Sequence, residues 1–250
     1  MKAMILAAGY GTRLKPFTDH SPKALIPVGG VPMLEHVLLK IKAAGFTHII
    51  INIHHFGDQI IDFLNVKNNF GLTVDISDER HSLLDTGGGI KHACRFLNGN
   101  EPFLVHNTDL FSNVDLKAMY LSHRRTKALV TLLVSRRWRP RQLLFNPEDR
   151  LCGWRNRDTG EVKSFLPNFD PSIYEEYAFG GVHVISPEIF QLMEEWPEKF
   201  SIISFYLSVC VHHPVCLYSE DDLRLIDAGT PKGIVEAEQF LGLPILGTNS

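Results

Sequence analysis

The chain alternates between short apolar runs and longer segments whose apolar residues recur every three or four positions. The short runs are typical of buried strands, and the longer segments are typical of helices with one apolar face. Strands are predicted at 3–8, 48–53, 72–77, 103–107, 128–134 and 179–185. Helices are predicted at 33–44, 58–64, 89–97, 116–123, 187–195 and 202–210. This alternation predicts an α/β fold in which a mostly parallel sheet carries helices on both faces.

The pattern becomes shorter and more polar between residues 136 and 177. Asn146–Asp149 separate two short apolar runs, which predicts a hairpin, and Asp158–Gly160 predict a second turn. The sequence shows no internal repeat and no convincing interdomain linker. We therefore expect one domain over 1–250 with a small inserted lobe.

Composition excludes several classes of protein. A formal net charge of −3 argues against non-specific nucleic-acid binding. No apolar stretch reaches the length of about 18 residues that a membrane span needs. The four cysteines form no C-x-x-C pair, so we expect reduced thiols in a cytoplasmic protein. The basic run Arg136–Arg141 is open to two interpretations, a solvated loop or a segment near an anionic ligand.

The end of the first predicted strand carries the most specific chemistry. It reads LAAGYGTRL over residues 6–14, so Gly9 and Gly11 leave backbone N–H groups accessible to phosphate. Arg13 and Lys23 would add positive charge for a polyphosphate. The spacing is not that of a dinucleotide fingerprint, because Leu14 stands at the third glycine position, and it is not a Walker loop.

Two further segments carry candidate ligand contacts. Asp85–Gly89 has the sequence DTGGG, and three glycines before a predicted helix indicate either a close approach of another group or a flexible turn. Asp109 follows the strand predicted at 103–107, where a carboxylate serves as a turn or cap residue or holds a divalent cation.

Taken together, LAAGYGTRL and the following SPKALIPV over residues 21–28 resemble the N-terminal signature of the sugar-1-phosphate nucleotidyltransferases. The resemblance implies a Rossmann-like three-layer sandwich, the nucleotide-diphospho-sugar transferase fold. It also implies a nucleotide-binding part over about 1–135, a sugar-binding part over about 136–225, and a C-terminal metal element and helix over about 226–243. The implied reaction transfers a nucleotidyl group from an NTP to a sugar-1-phosphate and releases pyrophosphate.

The resemblance also implies roles for individual residues. Arg13 and Lys23 are the expected catalytic residues, acting on the departing β/γ-phosphates and near the α-phosphate respectively. Asp109 and Asp227 are the expected ligands of Mg²⁺, Asp227 because residues 227–231 resemble the late D-x-GTP element of the family. Many relatives carry a tryptophan shortly before that aspartate, whereas Leu225 and Ile226 precede it here. The expected nucleotide contacts are Leu6, Ala7, Ala8, Gly9, Gly11, Thr12, Arg13, Lys23, Asp85, Thr86, Gly87, Gly88 and Asn107.

The sugar contacts that the resemblance implies are Glu161, Lys163, Asn168 and Gly181. Glu161 and Lys163 lie two residues apart and so share one face of a strand, where a surface ion pair is the alternative interpretation. His54 and His55 are adjacent on a predicted strand end and would point to opposite faces, so we do not expect them to ligate a metal together.

The strings LAAGYGTRL, INIHHF and LLDTGGGI are most similar to bacterial single-domain members of the family. The main expectation is UTP with N-acetylmuramate-1-phosphate or a hexose-1-phosphate, in nucleotide-sugar synthesis for cell-wall or polysaccharide precursors. One alternative is a mannose-1-phosphate guanylyltransferase that uses GTP, and another is a non-catalytic nucleotide-sugar sensor. We expect a monomer or homodimer that binds neither nucleic acid nor membrane.

Overall fold

The structure is a computed structural model, and it describes residues 1–243. Its strands are β1 (Lys2–Leu6), β2 (Pro27–Val28), β3 (Val31–Pro32), β4 (His48–Ile53), β5 (Thr73–Asp78), β6 (Phe103–Asn107), β7 (Leu110–Ser112), β8 (Val130–Ser135), β9 (Arg141–Phe145), β10 (Leu151–Asn156), β11 (Val162–Lys163), β12 (Glu175–Ile185), β13 (Val215–Tyr218) and β14 (Leu225–Asp227). Its α-helices are α1 (Met33–Ala43), α2 (Gly57–Val66), α3 (Asp85–His92), α4 (Cys94–Leu97), α5 (Leu116–Thr126), α6 (Ile189–Met193), α7 (Ile202–Val209) and α8 (Pro231–Phe240).

The predicted α/β class with a large, mostly parallel central sheet is confirmed. Strand β4 pairs in parallel with β1 on one side and with β5 on the other. Five of its six residues are buried, which explains why the isoleucine-rich run marked this strand so clearly. Leu6 and Asn52 are register partners, so β1 and β4 end side by side.

The chain divides into two compact units that interleave along the sequence. The first unit comprises Met1–Leu83, His106–Leu116 and Arg224–Ser250, of which residues 244–250 lie outside the described part of the chain. The second unit comprises Leu84–Val105 and Lys117–Leu223. The predicted single domain over 1–250, with functional boundaries near 135 and 225, stays a prediction.

Within the second unit, β8 pairs with β12 in antiparallel and with β13 in parallel orientation. The predicted hairpin is present as β9 and β10, and Asp149 in its turn has a φ of 60°. Strand β12 begins at Glu175, earlier than the predicted Phe179, because Glu175–Tyr177 pair with β9 before the strand reaches β8.

The helix predicted to begin at Gly89 begins at Asp85, so Gly87 and Gly88 also lie inside α3 rather than before it. A Cβ on Gly87 would lie 2.3 Å from Cε2 of Phe200, and a Cβ on Gly88 would lie 2.0 Å from the carbonyl oxygen of Glu198. The glycines therefore admit another segment of the chain. This packing outweighs the low helix propensity of glycine.

No helix in residues 1–243 is long and apolar enough to cross a membrane. All four cysteines are free thiols. Burial raises the pKa of each, to about 12 for Cys210, so these thiols stay protonated at neutral pH.

Two buried histidines make folding stability depend on pH. Burial lowers the pKa of His106 and of His123 to about 4 each. Because the unfolded chain binds these protons at pH values below about 6.5, stability is complete above that pH and is lost as the pH falls towards 4. We expect the free energy of unfolding to fall by about 2 kcal/mol per histidine between pH 7 and pH 5.

Urea unfolding at pH 7, 6 and 5 measures this loss. The variant His123→Gln removes one of the two titrating groups, so its loss over the same range should be about half that of the unchanged protein. An equal loss in both proteins would contradict the assignment to His123.

Candidate active site

The glycine loop, residues 7–11, follows β1 and has no regular secondary structure. Gly11 has a φ of 64°, and a Cβ there would lie 2.9 Å from Cβ of Lys23, so both conformation and space require glycine. The Gly11 carbonyl accepts hydrogen bonds from the Thr18 hydroxyl at 3.0 Å and from the Leu14 N–H at 2.8 Å. A Cβ on Gly9 would meet no atom within 4 Å, so this side of the loop is open.

The two cations expected to be catalytic and the two aspartates expected to bind metal lie together as two ion pairs. Lys23 Nζ bonds Asp109 Oδ2, and both side chains are largely buried, at 18% and 16% exposure. Arg13 Nη1 lies 3.7 Å from Asp227 Oδ2 in a more open position. Four residues that are far apart in the sequence therefore form one charged cluster in the first unit.

Backbone hydrogen bonds bring these segments together. The Thr108 hydroxyl and N–H both donate to the Leu6 carbonyl, which places the turn bearing Asp109 beside the glycine loop. Strand β14 pairs in antiparallel orientation with β7, and Asp227 is the register partner of Leu110. The Ala228 N–H then donates to the Asp109 carbonyl at 2.8 Å. Both aspartates are thus fixed by main-chain contacts and not only by their side chains.

Ile226, the residue directly before Asp227, has a packing role. Ile226 packs against a buried cluster that includes Leu14, Met33, Phe111 and Ala228.

Gly229 marks the point on which the cluster converges. A Cβ on this residue would lie 2.7 Å from Arg13 Nη2, 2.7 Å from Asp109 Oδ2 and 2.8 Å from Asp227 Oδ1. Its N–H donates to Asp227 Oδ1 at 2.9 Å. Sequence reasoning did not single out Gly229, although the D-x-GTP resemblance contains it.

The two carboxylates fit a magnesium ion that is shared with phosphate. Mg²⁺ binds through one or two carboxylates and completes its shell with phosphate oxygens and water. Asp109 and Asp227 converge beside a glycine loop and two cations, and residues 1–243 contain no group of three or more His, Cys, Asp or Glu residues that could hold a metal. Two carboxylates leave most of an octahedral shell unfilled, so a Mg²⁺ ion held here would need phosphate oxygens or water to complete its coordination.

Asn52 and Glu79 are buried polar residues behind the glycine loop that sequence reasoning missed. The Ala7 N–H donates to Asn52 Oδ1 at 2.7 Å, and Asn52 Nδ2 donates to Glu79 Oε1 at 2.7 Å. An asparagine within the otherwise apolar strand β4 was the available signal. The N–H of Ala7, an expected nucleotide contact, is consequently bonded within the protein.

The remaining residues of the first unit that are expected to contact the nucleotide lie in segments next to those that carry the charged cluster. Ala8 is buried in the glycine loop, and Thr12 begins a short 3-10 helix. Asn107 ends β6, and its carbonyl accepts from His106 Nδ1 at 2.8 Å.

In the second unit, Asp85–Gly88 form the first turn of α3. The Thr86 N–H donates to Asp85 Oδ1 at 2.6 Å, and the Gly87 and Gly88 N–H groups donate to the Phe200 carbonyl at 2.9 and 3.3 Å. Three backbone donors therefore already have partners within the protein. Recognition of a base by these residues stays a prediction.

The predicted sugar contacts also lie in the second unit. Glu161 Oε1 and Lys163 Nζ form an exposed ion pair at 3.0 Å. The surface ion pair that was the alternative interpretation of these two residues is therefore present. Asn168 lies in an exposed turn with a φ of 51°. Gly181 has a φ of 67° and lies where the pairing of β12 with β8 shifts register. Their binding of a sugar stays a prediction.

The sequence model of the nucleotidyl transferase family matches residues 2–241. The chain belongs to this family. The cluster at Gly229 and the glycine loop lie within the matched range.

Individual relatives carry more specific names. The chain is 37% identical over 200 residues to N-acetylmuramate alpha-1-phosphate uridylyltransferase of Neisseria meningitidis serogroup B, covering 78% of this chain and 79% of the relative. It is 31% identical over 249 residues to the enzyme of the same name from Caulobacter vibrioides, covering 96% of each. It is also 36% identical over 195 residues to mannose-1-phosphate guanylyltransferase of Mycobacterium tuberculosis, covering 75% of this chain and 54% of the relative.

Among solved structures, UDP-glucose pyrophosphorylase from Acinetobacter baumannii superposes with a TM-score of 0.76. The match covers 97% of this chain and 93% of the other at 20% identity. At that identity the likeness shows a shared fold, which is the nucleotide-diphospho-sugar transferase fold expected from the sequence.

Proposed function

We propose that the protein transfers a nucleotidyl group from an NTP to a sugar-1-phosphate, forming an NDP-sugar and pyrophosphate in a Mg²⁺-dependent reaction. The single observation that carries this proposal is the convergence of Arg13, Lys23, Asp109 and Asp227 near Gly229, beside the glycine loop. Two cations and two carboxylates at one point suit a reaction that must bring two polyanions together.

The reaction requires one bond to form and one to break. An oxygen of the sugar phosphate attacks the α-phosphorus, and the bond from that phosphorus to the bridging oxygen of the β-phosphate breaks, releasing pyrophosphate. The attacking phosphate is already anionic at neutral pH, so no side chain needs to remove a proton. Mg²⁺ held by Asp109 and Asp227 would supply charge neutralisation for the phosphates.

The cationic side chains have separate parts in this scheme. Arg13, at 59% exposure, can reach the β- and γ-phosphates and stabilise the charge of the departing pyrophosphate. Lys23 is more buried and would lie near the α-phosphate and the incoming sugar phosphate. Since Lys23 is paired with Asp109, its ammonium is fixed in place before substrates arrive, which favours catalysis by positioning.

The substrates are proposed as UTP and N-acetylmuramate-1-phosphate, with a hexose-1-phosphate as the second choice of sugar. The support is the similarity to two uridylyltransferases of that name, one of them over nearly the full length of both chains. GTP with mannose-1-phosphate is the alternative, supported by the guanylyltransferase relative. A cytoplasmic protein that acts as a monomer or homodimer stays a prediction.

A grid of substrates tests the proposal. We expect pyrophosphate release with Mg²⁺ to be highest for UTP with N-acetylmuramate-1-phosphate, with kcat/KM at least about tenfold above every other pair of UTP, GTP, TTP or CTP with N-acetylmuramate-, glucose- or mannose-1-phosphate. Chelation of Mg²⁺ by EDTA should abolish the signal, and added Mg²⁺ should restore it.

The grid also separates the alternatives. A maximum at GTP with mannose-1-phosphate would assign the guanylyltransferase activity instead. Tight binding of a nucleotide sugar without pyrophosphate release from any pair would identify a sensor and contradict the proposed reaction.

A further inference from the structure

The glycine loop is held from behind by side chains that the proposed reaction does not use. Asn52 Oδ1 accepts the Ala7 N–H at 2.7 Å at one end of the loop. Near the other end, the Tyr10 hydroxyl lies 3.0 Å from His54 Nε2, and the two rings meet edge to face. Asn52 and His54 are two residues apart, at and just after the end of β4, so the same stretch of chain contacts the loop twice.

Glu79 fixes the orientation of the Asn52 amide and of the His54 ring. Its Oε1 accepts from Asn52 Nδ2 at 2.7 Å, so the amide oxygen of Asn52 is directed to Ala7. Its carbonyl oxygen lies 2.9 Å from His54 Nδ1, and since a carbonyl only accepts, the proton of a neutral His54 lies on Nδ1. Nε2 is then an acceptor, and the Tyr10 hydroxyl is the donor. Glu79 and Asn52 are each 3% exposed, so the contact between their side chains is shielded from water, whereas Tyr10 is 47% exposed.

We propose that Asn52 and His54, aligned by Glu79, are positioning residues that hold the glycine loop in its NTP-binding conformation. This inference rests on the proposed function. The loop has no regular secondary structure and contains Gly9 and Gly11, so ordering it on binding would cost conformational entropy. Fixing Ala7 and Tyr10 in advance removes part of that cost. The contacts therefore raise the affinity for NTP and leave the affinity for the sugar-1-phosphate unchanged.

Removal of single hydrogen bonds tests the His54 contact. Tyr10→Phe and His54→Leu should each raise the Kd of UTP about three- to tenfold, the factor that corresponds to one net hydrogen bond. Both changes break the same hydrogen bond. The Kd of UTP for the double variant should therefore equal the higher of the two single-variant Kd values. The KM for the sugar-1-phosphate and the thermal midpoint should stay near those of the unchanged protein.

His55→Leu is the matched control. His55 also contacts the Tyr10 ring, with ring centroids 5.5 Å apart, but residues 1–243 show no hydrogen bond between the two side chains. This variant should keep the original Kd for UTP. An equal loss in His55→Leu would attribute the effect to ring packing and overturn the hydrogen-bond assignment.

Exchange of the amide and the carboxylate within the buried pair tests the Asn52 contact. Asn52→Asp keeps an acceptor for Ala7 but turns a second carboxylate towards Glu79, so the Kd of UTP should rise. Adding Glu79→Gln supplies an amide donor to that carboxylate and should restore binding. Glu79→Gln alone keeps an acceptor for Asn52 and should bind UTP almost normally. Failure of the second change to rescue the first, with both proteins folded, would overturn the positioning role of Asn52.

Equilibrium binding of UTP to the unchanged protein separates the two proposals. If the protein binds UTP while Tyr10→Phe and His54→Leu bind it equally well, the positioning role of His54 is wrong and the proposed reaction stands. If the unchanged protein binds no NTP at all, both proposals are wrong.

Discussion

Replacement of Asp109 by asparagine is expected to lower kcat about 100- to 1000-fold without unfolding the protein. Asparagine has the same shape and keeps a carbonyl oxygen that can accept from Lys23 Nζ, so the contact with Asp109 Oδ2 has a neutral replacement. What is lost is a negative charge at the point where, in the proposed reaction, two polyanions and Mg²⁺ would meet. Asp227→Asn should have a comparable effect, because its carboxylate converges on the same point.

The two substitutions should be strongly non-additive. If Asp109 and Asp227 act as one metal-binding unit, the double variant should lose little more activity than the worse single variant. Steady-state rates of pyrophosphate release at increasing Mg²⁺ concentration measure this, with thermal unfolding as the test of folding.

Asp19→Asn is the matched control for these changes. Asp19 lies in the same unit and pairs with Lys15 at 3.3 Å, but it is exposed and takes no part in the cluster. Its replacement should leave kcat unchanged. A near-normal rate for Asp109→Asn in Mg²⁺ would contradict the assignment of Asp109 as a metal ligand.

The parts of the fold that sequence reasoning predicted best are those governed by local pattern. The buried strand β4 has its predicted bounds because every residue from Ile49 to Ile53 except Asn52 is an apolar, β-branched isoleucine. Helix α1 ends within one residue of its predicted end because Gly45, at a φ of 90°, stops it. Helix α3 was predicted to begin too late. Gly87 and Gly88 make room for Phe200 and Glu198, which lie more than one hundred residues away in the sequence, so a local pattern could not show why glycine occurs inside this helix.

A similar limit applies to the candidate site. The residue types of the cluster could be proposed from short strings such as LAAGYGTRL, since those strings resemble a family signature. The partners could not, because Lys23 and Asp109 are 86 residues apart and Asp227 is placed by the pairing of β14 with β7. Asn52 was also missed, since its role is visible only when Ala7 and Glu79 are seen on either side of it.

Gly229→Ala should abolish most of the activity and leave folding nearly intact. The new methyl group would lie 2.7 to 2.8 Å from side-chain atoms of Arg13, Asp109 and Asp227, which is closer than van der Waals contact allows. These atoms are the ends of flexible side chains and the φ of Gly229 is not in the left-handed region, so the chain can relieve the clash by moving them. Such movement takes the charged groups of these three side chains away from one another. We expect kcat to fall at least about tenfold, since misplacement by 1 Å has costs of that order or larger.

Gly233→Ala gives the contrasting result that makes this prediction specific. A Cβ on Gly233 would lie 1.9 Å from the carbonyl oxygen of Asp227, and backbone at the start of α8 cannot move aside as a side chain can. That variant should lose thermal stability together with activity, whereas Gly229→Ala should lose activity while its thermal midpoint changes little. Thermal unfolding and rates of pyrophosphate release, measured on the same preparations, compare the two. If Gly229→Ala kept its activity, the convergence at this point would have no part in catalysis.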